Sequence, residues 1–181
     1  MFAVTERLLL RPGWAEDAPA LSRAIGDERV VRNLTRAPWP FALGDAERFL
    51  AQSRSPTRPT FLVCERDGAG IIGGVGLMEN GDNVEIGYWI ARDSWGRGYA
   101  TEAVRAAVAI ADETLRVPRL IATHALDNPA SGTVLRKAGF AAIGGTARLH
   151  NRARGEEMDV CLFERGRFGV PCLDEETPLA A

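Results

Sequence analysis

The most informative segment of the sequence is residues 95–102, WGRGYATE, which lie between a strand-like stretch and a long run of Ala, Val and Ile at helical spacing. Two glycines, Gly96 and Gly98, let the backbone turn tightly and bring its N–H groups close to a ligand. A helix that begins directly after them adds unpaired N–H groups and the positive end of its dipole. The segment therefore predicts a backbone cradle for a phosphate or pyrophosphate.

Two better-known phosphate motifs do not fit this segment. A P-loop requires Gly-Lys-Ser/Thr, which is absent, and a Rossmann fingerprint requires a third glycine and a parallel sheet. An isolated G-x-G is more often a helix entry without a ligand, so the interpretation needs support from elsewhere in the chain.

A second polar junction supplies that support at residues 127–131, DNPAS. Asn128 suits a helix N-cap and Pro129 a first helical residue, so capping alone accounts for both. Ser131 can equally be an ordinary residue of the first turn. Capping does not explain why two successive strand-to-helix junctions are both polar. If the two strands are neighbours, both junctions lie at one edge of the sheet and can share a ligand.

The wider pattern has the order strand, two helices, three strands, helix, strand, helix, two strands. It predicts one α/β (α+β) domain with a mixed, mostly antiparallel seven-stranded sheet and helices on both faces. We expect this domain to span residues 5–165, and a loosely held tail to follow at 166–181. Residues 148–157 are polar and arginine-rich, and they are predicted to form an exposed loop that contains His150.

The composition excludes several classes of protein. A chain of 181 residues with 46% hydrophobic residues can bury a sizeable core without cross-links. A formal net charge of −2 argues against bulk binding to nucleic acid or to an anionic membrane. Lys137 is the only lysine among 22 basic residues, and because arginine pairs well with phosphate and carboxylate, a small anionic ligand remains possible.

Cysteine and histidine usage predicts neither a disulfide framework nor a metal site. The three cysteines, Cys64, Cys161 and Cys172, are far apart, and no zinc spacing involves them or the two histidines. The first residues do not form a secretory signal, and no apolar segment is long enough to cross a bilayer. We therefore expect a cytoplasmic protein.

Three ordered motifs resemble the GNAT superfamily of acetyl-CoA-dependent N-acetyltransferases: residues 84–90 (VEIGYWI), 95–103 (WGRGYATEA), and 128–131 (NPAS) with 135–140 (LRKAGF). The chain is most similar to the branch that includes the ribosomal-protein N-terminal acetyltransferases, whose usual first strand matches residues 6–12, ERLLLRP. The resemblance covers roughly residues 5–165.

The resemblance implies a binding mode for acetyl-CoA. The loop at 92–100 is expected to hold the pyrophosphate through backbone N–H groups, and the strand at 84–91 to splay from its neighbour and pair with the pantetheine arm. Backbone near Trp89 and Ile90 would polarise the thioester carbonyl. Asp93 departs from the Arg or Gln common at its position, so we expect its side chain to point away. The implied coenzyme-binding set is Trp89, Ile90, Ala91, Gly96, Arg97, Gly98, Tyr99, Ala100, Thr101, Asn128, Ser131 and Lys137.

Acetyl transfer to an amine requires a base, a stabilised oxyanion and a proton for the leaving thiolate. Glu85 is the first candidate for the base because it lies on the strand expected to carry the thioester. Its alternative is a solvent-facing or ion-paired residue. His124 is the second candidate, and its alternative is a structural histidine. Ser131 is expected to assist the leaving thiol, with Asn128 orienting the pantetheine or supporting the serine.

Tyr88 and Tyr99 are alternative proton donors, although aromatic residues at such positions are usually part of the core.

The acceptor side is predicted from an aromatic loop. Trp39 lies between two prolines and, with Arg36 and Glu85, is a candidate to bind the acceptor; the alternatives are a hydrophobic plug and a solvated face. The predicted function is acetylation of a protein N-terminus or a small amine by a monomer or homodimer without metal. The alternatives are a non-catalytic acyl-CoA sensor, and acetylation of an amine-bearing toxin or antibiotic.

Overall fold

The computed structural model describes residues 1–52, 55–68 and 70–169. An open sheet of eight strands has the order β1-β2-β3-β4-β5-β6-β8-β7. Its pairings are antiparallel except for β5 with β6, which is parallel, and this confirms the mixed, mostly antiparallel sheet. The strands are β1 (Ala3–Val4), β2 (Leu8–Arg11), β3 (Thr60–Glu65), β4 (Ile71–Asn80), β5 (Asn83–Ile90), β6 (Arg119–Ala125), β7 (Ala141–Asn151) and β8 (Glu156–Gly166).

Helices cover both faces of the sheet, as the sequence predicts. Because successive side chains of a strand point to opposite faces of the sheet, β3 contributes residues to two hydrophobic clusters. Phe61 and Val63 pack in one cluster with Val104, whereas Leu62 packs in another with Leu21. The helices are α1 (Ala18–Ile25), α2 (Glu28–Val31), α3 (Leu43–Ala51), α4 (Tyr99–Ala109) and α5 (Pro129–Lys137). None of them, in the part of the chain that the structure describes, has the length and apolar composition needed to cross a membrane.

Some elements differ from the sequence prediction. The sequence predicts seven strands, and the additional strand is β1. It has only two residues, too few to show a periodicity in the sequence, and it pairs with Leu9 and Leu10 of β2. The four-residue helix α2 was also not predicted; it begins after Asp27, whose side chain accepts a hydrogen bond from the Arg29 N–H. Such short elements form because their neighbours support them rather than because of their own periodicity.

The predicted loop at 148–157 is wrong. Strand β7 continues to Asn151 and β8 begins at Glu156, which leaves a turn of residues 152–155. The polar composition belongs to the exposed face of this hairpin, where His150 lies opposite Glu157. Cross-strand pairs of this kind favour a strand even when its composition is polar. His150 is 62% exposed on a strand rather than in a loop.

Residues 170–181, with Cys172, lie outside the described residues, so the division into a domain at 5–165 and a tail at 166–181 remains a prediction.

The parallel pair in the centre of the sheet positions the candidate site. Strands β5 and β6 are paired only at Val84 with Leu120 and at Glu85 with Ile121. Beyond that point, residues 86–90 and 122–125 diverge, and we call the opening between them the slot. Because the strands are parallel neighbours, α4 and α5 both begin at the same edge of the sheet.

Candidate functional site

The loop before α4 has the backbone geometry of an anion cradle. Gly96 has φ +76° and Gly98 has φ +81°, in the left-handed region that favours glycine. Gly98 is the N-cap of α4, and both glycines are exposed. A Cβ at Gly96 would meet no other atom within 4 Å, so the space beside the loop is open. The exposed backbone N–H groups at the positive end of α4 therefore fit a phosphate or pyrophosphate.

Side chains around the loop hold it in place. The indole of Trp95 donates to the Ile90 carbonyl at 2.6 Å. The Tyr99 phenol donates to Glu65 on β3, so Tyr99 supports the loop from the sheet. The hydrogen bond to Asp27, and to a smaller extent the charge of Asp93, raise the pKa of Arg29 on α2.

The start of α5 carries a hydrogen-bonded pair. The Asn128 side chain accepts from the Ser131 N–H at 3.4 Å, so it caps the helix. The Tyr88 hydroxyl lies 2.7 Å from Ser131 Oγ and donates to the Ser131 carbonyl at 2.9 Å. Burial raises the pKa of Tyr88 to about 12, with a smaller opposing effect of the Ser131 bond, and the phenol is therefore neutral at physiological pH.

Replacing Tyr88 with phenylalanine is expected to change how stability depends on pH. The phenol pKa is raised from its usual 10 to about 12 on folding, so its contribution to stability is fully present below about pH 10 and is lost as the pH rises toward 12. Between about pH 8 and about pH 11, the free energy of unfolding of the wild type should fall by about 1 kcal/mol more than that of Y88F. Urea titrations of both proteins at the two pH values measure this difference. An equal fall of the free energy of unfolding in both proteins would show that folding does not raise the pKa of the Tyr88 phenol.

Backbone groups of β5 alternate between β4 and the slot. The Ala91 N–H donates to the Ile72 carbonyl, and Trp89 is in register with Gly74 on β4. In an antiparallel ladder this directs the backbone of Trp89 toward β4, and that of Tyr88 and Ile90 toward the slot. The Ile90 carbonyl is occupied by Trp95, which leaves the Ile90 N–H and the Tyr88 backbone facing the opening.

The two candidate bases lie on opposite faces of the sheet. Glu85 accepts hydrogen bonds from Thr123 Oγ1 and Asn80 Nδ2, each at 3.2 Å, on the face covered by α1–α3. His124 faces α5, where a Cβ at Gly132 would lie 2.5 Å from its Nε2. The His124 Nδ1 is 2.8 Å from the Ala125 carbonyl, so the neutral ring carries its proton there. This tight packing favours a structural role for His124.

The acceptor candidates form a wall on the Glu85 face. Arg36 Nη1 lies 3.6 Å from Met78 Sδ, and Met78 is the cross-strand partner of Glu85. Trp39 is 39% exposed. The wall, residues 32–41, is held by the β7–β8 turn, since the Arg152 N–H donates to the Thr35 carbonyl at 2.9 Å.

An ion cluster joins this wall to the start of α5. Asp127 accepts two hydrogen bonds from Arg154, each at 2.9 Å, and a third from Arg32 at 3.2 Å. Arg154 is the main cause of the lowered pKa of Asp127. The sequence offered no signal for this cluster because its members come from three distant segments.

Lys137 lies at the opposite end of α5 from Ser131. It is the last residue of the helix, six positions after Ser131, or about 9 Å along the helix axis. Its carbonyl accepts hydrogen bonds from Arg105 of α4, and its side chain is exposed. Among the described side chains, no group of three His, Cys, Asp or Glu residues could hold a metal ion.

Comparisons with known proteins agree with this geometry. A family model described as acetyltransferase (GNAT) domain matches residues 7–141. The uncharacterized N-acetyltransferase p20 of Bacillus licheniformis is 30% identical over 168 residues, which cover 88% of this chain and 92% of the relative.

Solved structures show the same fold. An acetyltransferase of the GNAT family from Bacillus anthracis superposes with a TM-score of 0.81 at 23% identity, covering 93% of this chain and 99% of that one. Spermidine N-acetyltransferase from Vibrio cholerae, in complex with CoA and spermine, superposes with a TM-score of 0.77 at 18% identity, covering 91% and 98%. The family model matches most of the chain, and the alignment with the Bacillus licheniformis relative covers most of both proteins. The protein therefore belongs to the GNAT family and is an acetyl-CoA-dependent N-acetyltransferase.

Proposed function

We propose that the slot is the reaction centre, where an amine attacks the thioester of acetyl-CoA directly. One observation carries this proposal. Strands β5 and β6 separate after Glu85 and Ile121, and the opening has Glu85 on one face and the Ser131–Tyr88 pair on the other. Deprotonation of the amine requires a base, which the carboxylate can supply, and protonation of the thiolate requires a neutral donor, which the hydroxyl pair can supply. The two groups lie on opposite sides of one opening.

In this proposal the coenzyme binds at the edge where α4 and α5 begin. The pyrophosphate accepts hydrogen bonds from the backbone N–H groups of residues 96–100, with Thr101 in the following turn. The pantetheine arm enters the slot along residues 88–91 of β5, where the Tyr88 backbone and the Ile90 N–H face the opening. The Ile90 N–H is the donor available to the thioester carbonyl oxygen.

The reaction proceeds in a single exchange at the carbonyl carbon. The amine nitrogen forms a bond to this carbon, and Glu85, directly or through water, accepts the proton that the nitrogen loses. The carbon–sulfur bond breaks, and the thiolate takes the hydroxyl proton of Ser131, which regains a proton from water while Glu85 releases its proton to water. The Tyr88 phenol stays neutral and holds Ser131 by a hydrogen bond. Asn128 keeps Ser131 at the helix start by capping it.

The acceptor approaches from the Glu85 face, beside Arg36 and Trp39. Its class is a primary amine, either a protein N-terminus, as the resemblance to the ribosomal-protein branch implies, or a small molecule. The Vibrio cholerae neighbour, whose structure contains spermine, is an example of the second kind. Self-protective acetylation of a toxin or antibiotic amine belongs to the same chemistry. We expect the protein to work in the cytoplasm as a monomer or homodimer.

A thiol-release assay tests this function. The protein is incubated with acetyl-CoA and a panel of peptides with free N-termini, polyamines and aminoglycosides, and free CoA thiol is followed with a chromogenic disulfide. We expect amine-dependent release with at least one member of the panel, and an N-acetylated product by mass spectrometry. Binding of acetyl-CoA without transfer to any amine would instead support the non-catalytic sensor.

A further inference from the structure

A glutamate in the first turn of α4 connects the beginning of the chain to the cradle. The Glu102 carboxylate accepts hydrogen bonds from Thr5 Oγ1 at 2.6 Å, from the Arg7 backbone N–H at 2.9 Å and from Arg7 Nε at 2.8 Å. Arg7 Nη2 lies 2.6 Å from the same carboxylate. Neither the capping of α4 nor the proposed chemistry accounts for this concentration of bonds on one side chain.

Arg7 makes a second contact that reaches into the cradle itself. Its Nη1 donates to the Arg97 carbonyl at 2.9 Å, and its guanidinium lies 4.8 Å above the centre of the Tyr99 ring. One planar guanidinium therefore binds Glu102 on one edge and the loop backbone on the other. The single ammonium of a lysine cannot present this fork.

The contact fixes the orientation of one peptide plane. In a trans peptide the carbonyl and the following N–H point in opposite directions, so the Gly98 N–H is directed away from Arg7 when the Arg97 carbonyl is bound to it. Gly96 and Gly98 flank this unit, and glycine has access to many other backbone conformations. Without a restraint, the loop loses the convergence of its N–H groups.

We propose that Arg7 is a positioning residue for coenzyme binding, which holds the Gly98 N–H toward the pyrophosphate and is itself held by Glu102 and Thr5. This inference rests on the proposed placement of the pyrophosphate at residues 96–100. Exposed ion pairs contribute little to stability, and the Arg7 side chain is 44% exposed, so a merely structural role would leave coenzyme affinity unchanged.

The test compares two thioesters, one of which lacks the whole nucleotide part, including the pyrophosphate. Titration calorimetry measures the Kd of acetyl-CoA and of S-acetyl-pantetheine, which lacks the nucleotide, for the wild type and Arg7→Met. We expect the variant to bind acetyl-CoA about tenfold more weakly, because the Gly98 N–H is no longer held toward the pyrophosphate and one charge-assisted hydrogen bond is lost. The Kd of S-acetyl-pantetheine should not change. The matched control is Arg11→Met, at the end of the strand that follows Arg7, because Arg11 forms two 2.7 Å bonds to Asp17 rather than to the loop.

A double variant separates positioning from charge. Arg7→Met with Glu102→Gln removes one positive and one negative group, so a purely electrostatic role predicts recovery of acetyl-CoA binding, whereas positioning predicts that the defect persists. Recovery, an unchanged Kd in Arg7→Met, or an equal defect in Arg11→Met would each overturn the proposal. If the wild type itself binds acetyl-CoA no more tightly than S-acetyl-pantetheine, the placement of the coenzyme fails and this inference fails with it.

Discussion

Replacing Glu85 with glutamine is expected to lower kcat by about a hundredfold or more, since a positioned general base contributes roughly 10²- to 10⁴-fold. Glutamine has nearly the same shape, so its oxygen can still accept the hydrogen bond from Thr123 that Glu85 accepts at 3.2 Å. What it cannot do is take a proton from the attacking amine. Steady-state thiol release at saturating acetyl-CoA measures the change.

Two further variants identify the reason for such a loss. Thr123→Val removes the hydrogen bond to Glu85 while keeping the carboxylate. This variant should retain most of the activity if Glu85 acts as a base, and should lose activity if the role of Glu85 is to link β5 to β6 through Thr123. His124→Ala should also retain activity because His124 lies on the opposite face, against Gly132. An active E85Q together with an inactive His124→Ala would move the base to the histidine.

Replacing Gly98 with glutamate is expected to abolish the rise in Tm that acetyl-CoA causes. The wild type should melt at a higher temperature with millimolar acetyl-CoA, because the ligand binds only the native state. At φ +81° a side chain costs about 1–2 kcal/mol of strain. Its Cβ would lie 3.5 Å from Arg7 Nη2, so the new carboxylate would compete with Glu102 for Arg7 and add negative charge beside the loop. Differential scanning fluorimetry with and without ligand measures both effects.

The matched control for this strain is Gly81→Glu. Gly81 also has positive φ, +58°, and a Cβ there would meet nothing within 4 Å, but it lies in the β4–β5 turn at the other end of β5. Its Tm without ligand should fall by a similar amount while the acetyl-CoA shift persists. A normal shift in Gly98→Glu would rule out the cradle as the phosphate site.

Local sequence features were sufficient to predict the cradle and the second junction. A turn that needs Gly96 and Gly98, followed at once by a helix, is encoded within eight residues. Capping by Asn128 is encoded within four, and the structure shows the expected N-cap bond. From the sequence, the neighbourhood of β5 and β6 was only a condition, and the structure shows that the two strands are parallel neighbours.

Contacts between distant segments could not be predicted in this way. The bonds from Arg7 to Glu102 join residues 95 positions apart, and no periodicity links them. The opposite faces of Glu85 and His124 depend on the register of β5 with β6, which side-chain alternation within either strand does not reveal. Polar residues on the β7–β8 hairpin, such as Arg148 opposite Asp159, have the composition of a loop until their partner strand is known.

The divergence of β5 and β6 also affects how substrates enter the site and how products leave it. In the proposed arrangement, the coenzyme enters from the edge of α4 and α5 and the amine from the Glu85 face, so both reactants can be present at once. The acetyl group then never needs to be stored on the protein. After transfer, the spent thiol and the acetylated amine can depart in different directions, so neither product blocks the exit of the other.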